Sequence, residues 1–101
     1  MSADSFCDYV LEQLNVLDRV HDRAMFGGIG LYYGEQFFGI IHEGRLYFKT
    51  HATTLDKYLR HQAAVFAPSA KQILKNYREV PAEILEDSSQ LAVWAREAVQ
   101  S

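Results

Sequence analysis

Residues 37–50 of this chain, FFGIIHEGRLYFKT, decide its fold. Aromatic and β-branched residues dominate both halves of the stretch, as is typical of β-strands. The Glu-Gly pair at 43–44 has the length of a two-residue hairpin turn, and glycine readily takes the positive φ that such a turn needs. The pattern predicts an antiparallel hairpin, and alternation along its second strand puts Leu46 and Phe48 on the face opposite Tyr47.

The segments around this hairpin predict three further strands. Residues 25–33 are rich in aromatic and branched side chains and are followed by a short turn at 34–36, which indicates an antiparallel meander with the hairpin. Residues 64–67 and 71–77 predict two more strands around a Pro-Ser turn. The last strand is weakly amphipathic, with Ile73 and Tyr77 predicted on one face and Leu74 on the other, which favours an edge position or an interface.

Helices are predicted at both ends of the chain, over residues 4–17 and 88–100, with shorter ones at 53–61 and 82–85. Five side chains at helical spacing form the apolar face of the first helix: Phe6, Tyr9, Val10, Leu14 and Leu17. Five more form that of the last: Leu91, Trp94, Ala95, Ala98 and Val99. The order α-β-β-β-α-β-β-α predicts a single α+β domain over residues 1–101, with an antiparallel sheet of about five strands and helices at both ends.

Length and composition narrow the class of protein. The chain has 101 residues, of which 49% are hydrophobic and 13% aromatic, enough apolar material for one buried core without metal or disulfides. No apolar run approaches the ~20 residues of a membrane-spanning helix, and the first residues lack the pattern of a secretory signal. Cys7 is the single cysteine, which excludes an internal disulfide and favours a reducing, cytoplasmic location.

Charge is distributed unevenly along the chain. The net charge of −3 excludes a uniformly basic nucleic-acid binder. Residues 45–78 nevertheless carry seven bases against Asp56, between two acidic ends. Six of these bases form a candidate partner or nucleic-acid surface: Lys49, Lys57, Arg60, Lys71, Lys75 and Arg78. A solvated sheet face balanced by acidic helices is the alternative interpretation.

Motifs for catalysis or cofactor binding are not found. The glycine-rich run at 27–34 lacks both the dinucleotide fingerprint and the Gly-Lys-Ser/Thr ending of a phosphate loop. The four histidines are too widely spaced for a local metal site, and the acids and serines fall at turns and helix caps. We therefore predict no catalytic, metal or cofactor-binding residue and no enzymatic activity. A small ligand-binding protein or enzyme whose site is assembled from distant residues stays open as an alternative.

Aromatic side chains alternate along the predicted strands, and they fit two uses. One face of the sheet needs about half of them to pack against the helices. The other half fits a dimer or partner interface, or a platform on which bases stack, with Tyr47 and Tyr77 as stacking candidates. We rank protein contact above nucleic acid.

Several segments, in order, resemble the N-terminal domain of the TfoX/Sxy family of competence regulators. Residues 23–31, RAMFGGIGL, are similar to its opening signature, and 37–39 and 46–49 to its next two strands. Residues 77–85, YREVPAEIL, followed by Trp94, resemble its closing segment. The similarity extends from about residue 6 to residue 99.

The resemblance implies an α+β domain that acts as a scaffold, related to bacterial regulators that work with a cyclic-AMP-responsive activator at competence promoters. It implies no catalytic residue, because that family has no recognised active site. Full-length members carry a second, helical domain after this one, so the end of this sequence at Ser101 leads us to expect a stand-alone N-terminal domain. The leading hypothesis is a non-enzymatic module of the bacterial cytosol that binds a protein partner, such as a component of the transcription machinery; self-association is a further hypothesis.

The positions shared with the family are interpreted as structural. These positions are Met25, Phe26, Gly27, Gly28, Gly30, Tyr47, Lys49, Tyr77, Pro81 and Trp94. The paired glycines are expected to bend the first strand so that residues 25 and 26 pack against the first and last helices. Tyr77 and Pro81 are expected to fix the connection into the last helix, and Trp94 to close the core.

Overall fold

A six-stranded antiparallel sheet with helices on one side forms the body of the protein. The computed structural model describes residues 4–25, 27–69 and 71–99. The elements in chain order are α1 (Asp4–Gln13), β1 (Val20–Met25), β2 (Gly28–Tyr33), β3 (Gln36–His42), β4 (Arg45–Lys49), α2 (Leu55–Arg60), β5 (Val65–Ser69), β6 (Gln72–Glu79), α3 (Ala82–Leu85) and α4 (Ser88–Val99). In the described part of the chain, no helix combines the length and the apolar character needed to cross a membrane.

The strands lie in the order β1-β2-β3-β4-β6-β5, and every neighbouring pair is antiparallel. The predicted meander and the α+β class are confirmed, including the turn at 43–44, where both residues have positive φ. The prediction lacks the strand β1, VHDRAM. Only its last residue, Met25, is predicted as a strand, at the start of β2. As an edge strand it is largely exposed on both faces, so its sequence lacks the alternation that identifies a half-buried strand.

The main core lies between one face of the sheet and the helices. Leu31, Phe38 and Phe48 contribute from the sheet and are fully buried. The predicted apolar faces of α1 and α4 pack on them, with the exception of Tyr9, which is exposed. Cys7 is buried in this core as expected of a small apolar side chain. The helices are thus held by one face of the sheet only.

Helix boundaries differ from the prediction where local hydrogen bonds override the sequence pattern. The helix α1 ends at Gln13, although Leu14 and Leu17 still reach the core. The short helix predicted over 53–61 is narrower in the structure, where α2 extends from Leu55 to Arg60. At the start of the last helix, the Asp87 carboxylate caps the chain by accepting a hydrogen bond from the backbone N–H of residue 90 at 3.2 Å.

A second apolar cluster lies on the opposite face of the sheet, which we call the helix-free face. Ile40, Tyr47 and Phe66 are buried there, and no helical residue belongs to the cluster among the residues described. In a flat six-stranded sheet the outer strands β1 and β5 would stand about 24 Å apart. Side chains from both ends of the sheet nevertheless line one pocket with Ile40, so the sheet curls toward its helix-free face.

A bulge in β6 produces part of this curvature. Phe66 of β5 pairs with Leu74, while the preceding Val65 pairs with Arg78, so one step along β5 spans four along β6. The extra residues allow both Leu74 and Tyr77 to pack on the second cluster. Our prediction that these two side chains take opposite faces is therefore wrong, because it assumed an unbroken alternation.

Truncation of Trp94 tests the main core. Its indole packs edge-on against the Tyr58 ring at 4.8 Å, and the Lys57 ammonium lies 4.3 Å from its ring centre. We expect Trp94→Ala to lower the free energy of unfolding by about 3–5 kcal/mol, measured by urea denaturation. The adjacent Val93 is 46% exposed, so Val93→Ala should change stability by less than about 0.5 kcal/mol. Equal unfolding midpoints for the two variants would contradict this assignment.

Candidate interaction face

Four rings from four different strands form a continuous row across the helix-free face, which we call the aromatic row. The His21 ring stacks on the Tyr32 ring at 5.7 Å, with 19° between their planes. Tyr32 contacts Phe37 at 5.2 Å, and Phe37 contacts Tyr77 at 5.6 Å. Strand pairing and the bulge in β6 bring these side chains together although 56 positions separate His21 from Tyr77 in the sequence.

The aromatic row is half-buried rather than covered. Tyr32, Phe37 and Tyr77 are each partly accessible, and the Arg23 guanidinium lies 4.9 Å from the centre of the Tyr32 ring. Burial raises the pKa of Tyr77 to about 12, and the nearby Tyr32 adds to that rise. The row is therefore a largely apolar surface with a cation at one end.

An apolar pocket opens at the other side of the same face, and we call it the edge pocket. It has a volume of about 290 Å³. It is lined by Met25, Gly27, Gly28, Ile40, His42, Phe66, Pro68, Ser69, Gln72 and Leu74. The turn between β1 and β2 forms one wall, the β5–β6 hairpin forms the other, and β3 forms the floor. The two walls come together because the sheet curls, so the sequence alone does not predict this pocket.

The paired glycines of the family signature serve this pocket and the turn beside it. Gly27 has φ +81°, a left-handed conformation that glycine takes without strain. A Cβ at Gly28 would lie 2.4 Å from the Ile41 carbonyl oxygen, so a side chain cannot be accommodated without a shift of the backbone. The glycines therefore make a tight turn between two strands, not the bend within one strand that we expected.

Met25 likewise differs from the expectation. Its sulfur lies on the helix-free face near Gly30, and its side chain lines the edge pocket instead of packing against α1 and α4. Tyr77 also faces this side, where it contacts Phe37, so it does not fix the connection into the last helix. Met25 is the last residue of the exposed edge strand β1 and lies on the same face as Arg23, which the sequence pattern did not indicate. Phe26 lies outside the described residues.

The remaining signature positions have structural surroundings. Tyr47 is buried against Phe66 at 4.8 Å, and burial raises the pKa of its phenol. It is thereby removed as a platform for stacking bases. Lys49 is half-buried opposite Tyr77 on the neighbouring strand. Pro81 directly precedes α3, and Trp94 closes the main core as expected.

The six candidate basic residues do not form one surface. Lys57 and Arg60 belong to α2, on the helical side, where Lys57 pairs with the Glu97 carboxylate. Arg78 faces the same side and donates a hydrogen bond to the Ala63 carbonyl oxygen at 3.1 Å. Of the other three, Lys49 lies on the helix-free face opposite Tyr77, and Lys71 and Lys75 are exposed at the β5–β6 hairpin.

Charge is instead divided between the two sides of the molecule. Seven acids lie on α1, α3, α4 and the link between the last two helices: Asp4, Asp8, Glu12, Glu83, Glu86, Asp87 and Glu97. They outnumber the helical bases, which are Lys57 and Arg60 on α2 and Arg96 on α4. On the helix-free side, Glu79 is paired with Arg45 at 3.0 Å. Arg23 beside Tyr32 and Lys49 opposite Tyr77 add positive charge to that side. Sequence reasoning identified the basic segment, but the contribution of Arg23 required the fold.

Other kinds of site find no support in the described part of the chain. Within it, no group of three or more His, Cys, Asp or Glu side chains is arranged to hold a metal ion. The His61 imidazole lies 3.4 Å from the Glu83 carboxylate at the surface, against the edge of Trp94. This pair lies on the helical side, away from both the aromatic row and the edge pocket.

Alkaline titration tests the burial of Tyr77. The pKa in the folded state lies above the ~10 of an unfolded tyrosine, so the neutral phenol stabilises the fold. That contribution is complete below about pH 10 and is lost as pH rises toward 12. We expect Tyr77→Phe to unfold like the wild type in urea near pH 8, but to lose less stability between roughly pH 10 and 12. Identical losses in both proteins would contradict the assigned burial.

Comparison with known proteins agrees with the sequence resemblance. No curated protein matches the chain. A family model described as the TfoX N-terminal domain matches residues 12–101, nearly the whole chain, and covers every strand and the last three helices. The chain, with its curled sheet and signature glycines, therefore belongs to the TfoX N-terminal domain family.

Proposed function

We propose that this protein is a non-enzymatic regulatory module that binds a protein partner through the helix-free face of its sheet. The partner surface is acidic at its rim and apolar at its centre. Because of the family, a component of the bacterial transcription machinery is the first candidate, either RNA polymerase or a cyclic-AMP-responsive activator. We further propose a cytoplasmic location, in keeping with the single, buried cysteine.

The observation that carries this proposal is the half-buried aromatic row. Tyr32, Phe37 and Tyr77 present a contiguous apolar surface that no described helix covers. Contiguous exposed apolar patches on soluble proteins mark interaction sites, and tyrosine and phenylalanine are enriched in protein interfaces. The rings are already fixed by their neighbours, so binding costs little side-chain entropy.

Charge indicates what the partner surface looks like. Arg23 is exposed at one end of the aromatic row, and Lys49 lies opposite Tyr77 at the other end. Lys71 and Lys75 are exposed at the β5–β6 hairpin. Such a rim attracts an acidic surface and speeds the encounter with it. The helical side of this chain is acidic, so it also complements a second copy, which is how self-association would arise.

Nucleic acid is the second candidate, because cations and aromatic rings together are the chemistry that binds single strands. The geometry of the rings favours a protein. Tyr32 and Tyr77 are tilted by 43° and 38° from Phe37 and lean against it, so the row does not present parallel flat platforms. Tyr47, the other stacking candidate, is 8% exposed.

Charge reversal at Arg23 tests the proposed face. Immobilised wild-type protein is exposed to purified RNA polymerase and, separately, to purified cyclic-AMP-responsive activator, and affinity is measured by biolayer interferometry. We expect Arg23→Glu to weaken binding by about tenfold or more, because it puts a negative charge against an acidic rim.

The matched control is Arg60→Glu, which reverses another exposed arginine, on the helical side. It should change affinity by less than about twofold, since it lies outside the proposed contact. Equal losses in both variants would place the contact elsewhere. Fluorescence anisotropy with labelled single- and double-stranded DNA, at roughly 50 and 200 mM salt, covers the second candidate. Tight DNA binding that collapses at the higher salt, without binding to either protein, would overturn the proposal.

A further inference from the structure

We propose that the edge pocket binds a small, uncharged, bicyclic aromatic molecule with one hydrogen-bonding group directed at His42. This goes beyond the proposed protein contact and does not rest on it. The pocket lies beside the aromatic row but is formed by different residues, at the junction of the β1–β2 turn and the β5–β6 hairpin.

The size of the pocket sets the size of the molecule. Its volume of about 290 Å³ is roughly twice that of a ~150 Å³ protein cavity that takes up benzene. A single ring would leave much of the apolar lining wet, whereas two fused rings match the space. The volume lies at the lower limit of ordinary ligand sites, which excludes a nucleotide or a lipid chain.

The residues that line the edge pocket favour an uncharged ligand. Among the lining residues that the structure describes, none is an aspartate, glutamate, lysine or arginine, and most of this lining is apolar. An ionised group entering this space would lose hydration without meeting a counter-charge, which is strongly unfavourable. The basic residues nearby, Lys71 and Lys75, do not contribute to the lining.

His42 supplies the polar contact. The Phe66 ring meets its imidazole edge-on at 5.3 Å and orients it, and within the described residues neither ring nitrogen has a hydrogen-bond partner. A Cβ at position 27 would stand 4.0 Å from Nε2, so glycine there leaves this nitrogen uncovered. A ligand N–H or O–H in the pocket would satisfy it.

The floor and one wall are rigid enough to be preformed. Ile40 and Phe66 are 1% and 5% exposed, so the curl of the sheet holds them whether or not the pocket is filled. A preformed apolar pocket requires little reorganisation on binding. The structure thus combines at one place a suitable volume, a lining without charged side chains, a rigid floor and an oriented His42 ring nitrogen that has no hydrogen-bond partner among the described residues.

Indole is the probe for this site, since it has two fused rings and one N–H. Titration into ¹⁵N-labelled protein, followed by amide NMR, should give saturable shifts at Gly27 and Gly28, with a Kd on the order of 0.1–1 mM. Indole-3-carboxylate, with the same rings and a charge, should bind at least about tenfold more weakly. His42→Phe should keep the pocket apolar and weaken indole binding about three- to tenfold, through loss of the hydrogen bond.

Adjacent positions on β6 give a matched pair of variants. Leu74→Trp places a large ring in the pocket and should abolish the indole shifts, whereas Ile73→Trp adds the same ring at an exposed position outside the lining and should leave them unchanged. Should Leu74→Trp fail to fold, Met25→Trp blocks the opposite wall. Absence of saturable shifts in the folded wild type up to about 5 mM indole, or equal affinity for indole and its carboxylate, would overturn the proposal.

Discussion

One-sided coverage of the sheet is the constraint on which the rest of the structure depends. The helices α1, α2 and α4 bury their apolar faces against the same side, where Trp94, Tyr58 and Phe48 meet in the main core. The opposite side receives no helix in the described chain, yet it carries Ile40, Tyr47 and Phe66, which water would solvate poorly. The sheet buries these three by curling onto itself. The aromatic row and the edge pocket lie at the margin of that second cluster.

The irregularities of the strands accompany this curl. In β3, Tyr32 pairs with Phe37 while Leu31 pairs with Gly39, so one extra residue, Phe38, is directed into the main core. A side chain at Gly39 would be crowded, because a Cβ there would lie 3.2 Å from both the Phe48 ring and the Tyr47 carbonyl oxygen. The bulge in β6 brings Tyr77 onto the same face as Leu74. Bulges of this kind increase local twist and bend a strand, which is what a sheet covered on one side requires.

Sequence patterns predicted the regular parts of this molecule well, because those parts obey a single period. Helical spacing identifies the apolar stripe of α4, which buries one face. The hairpin at 37–50 is buried on both faces, and its aromatic and β-branched runs around the Glu-Gly turn identify it. The wrong predictions concern segments in which the alternation of buried and exposed side chains is interrupted. The strand β1 is exposed on both faces, the bulge in β6 shifts Tyr77 relative to Leu74, and Gly27 forms a turn where a bend was expected.

The candidate face required the fold for a different reason. The basic residues of one sequence segment separate onto two sides, while Arg23 joins Lys49 from a segment with no basic excess. The contacts of the aromatic row likewise join residues far apart along the chain. Sequence composition shows that rings and cations are abundant; only strand order and register determine which of them share a surface.

Hydroxyl-radical footprinting, read by mass spectrometry, is the most direct measurement of whether the helix-free face is the interaction surface. The protein would be labelled alone and in complex with purified bacterial RNA polymerase or cyclic-AMP-responsive activator. Oxidation of Met25, Tyr32 and Tyr77 should fall several-fold in the complex, while that of Tyr9, which is 41% exposed on α1, should persist. Protection of Tyr9 with unchanged oxidation of Met25, Tyr32 and Tyr77 would show that the helical side makes the contact and would contradict the proposed face.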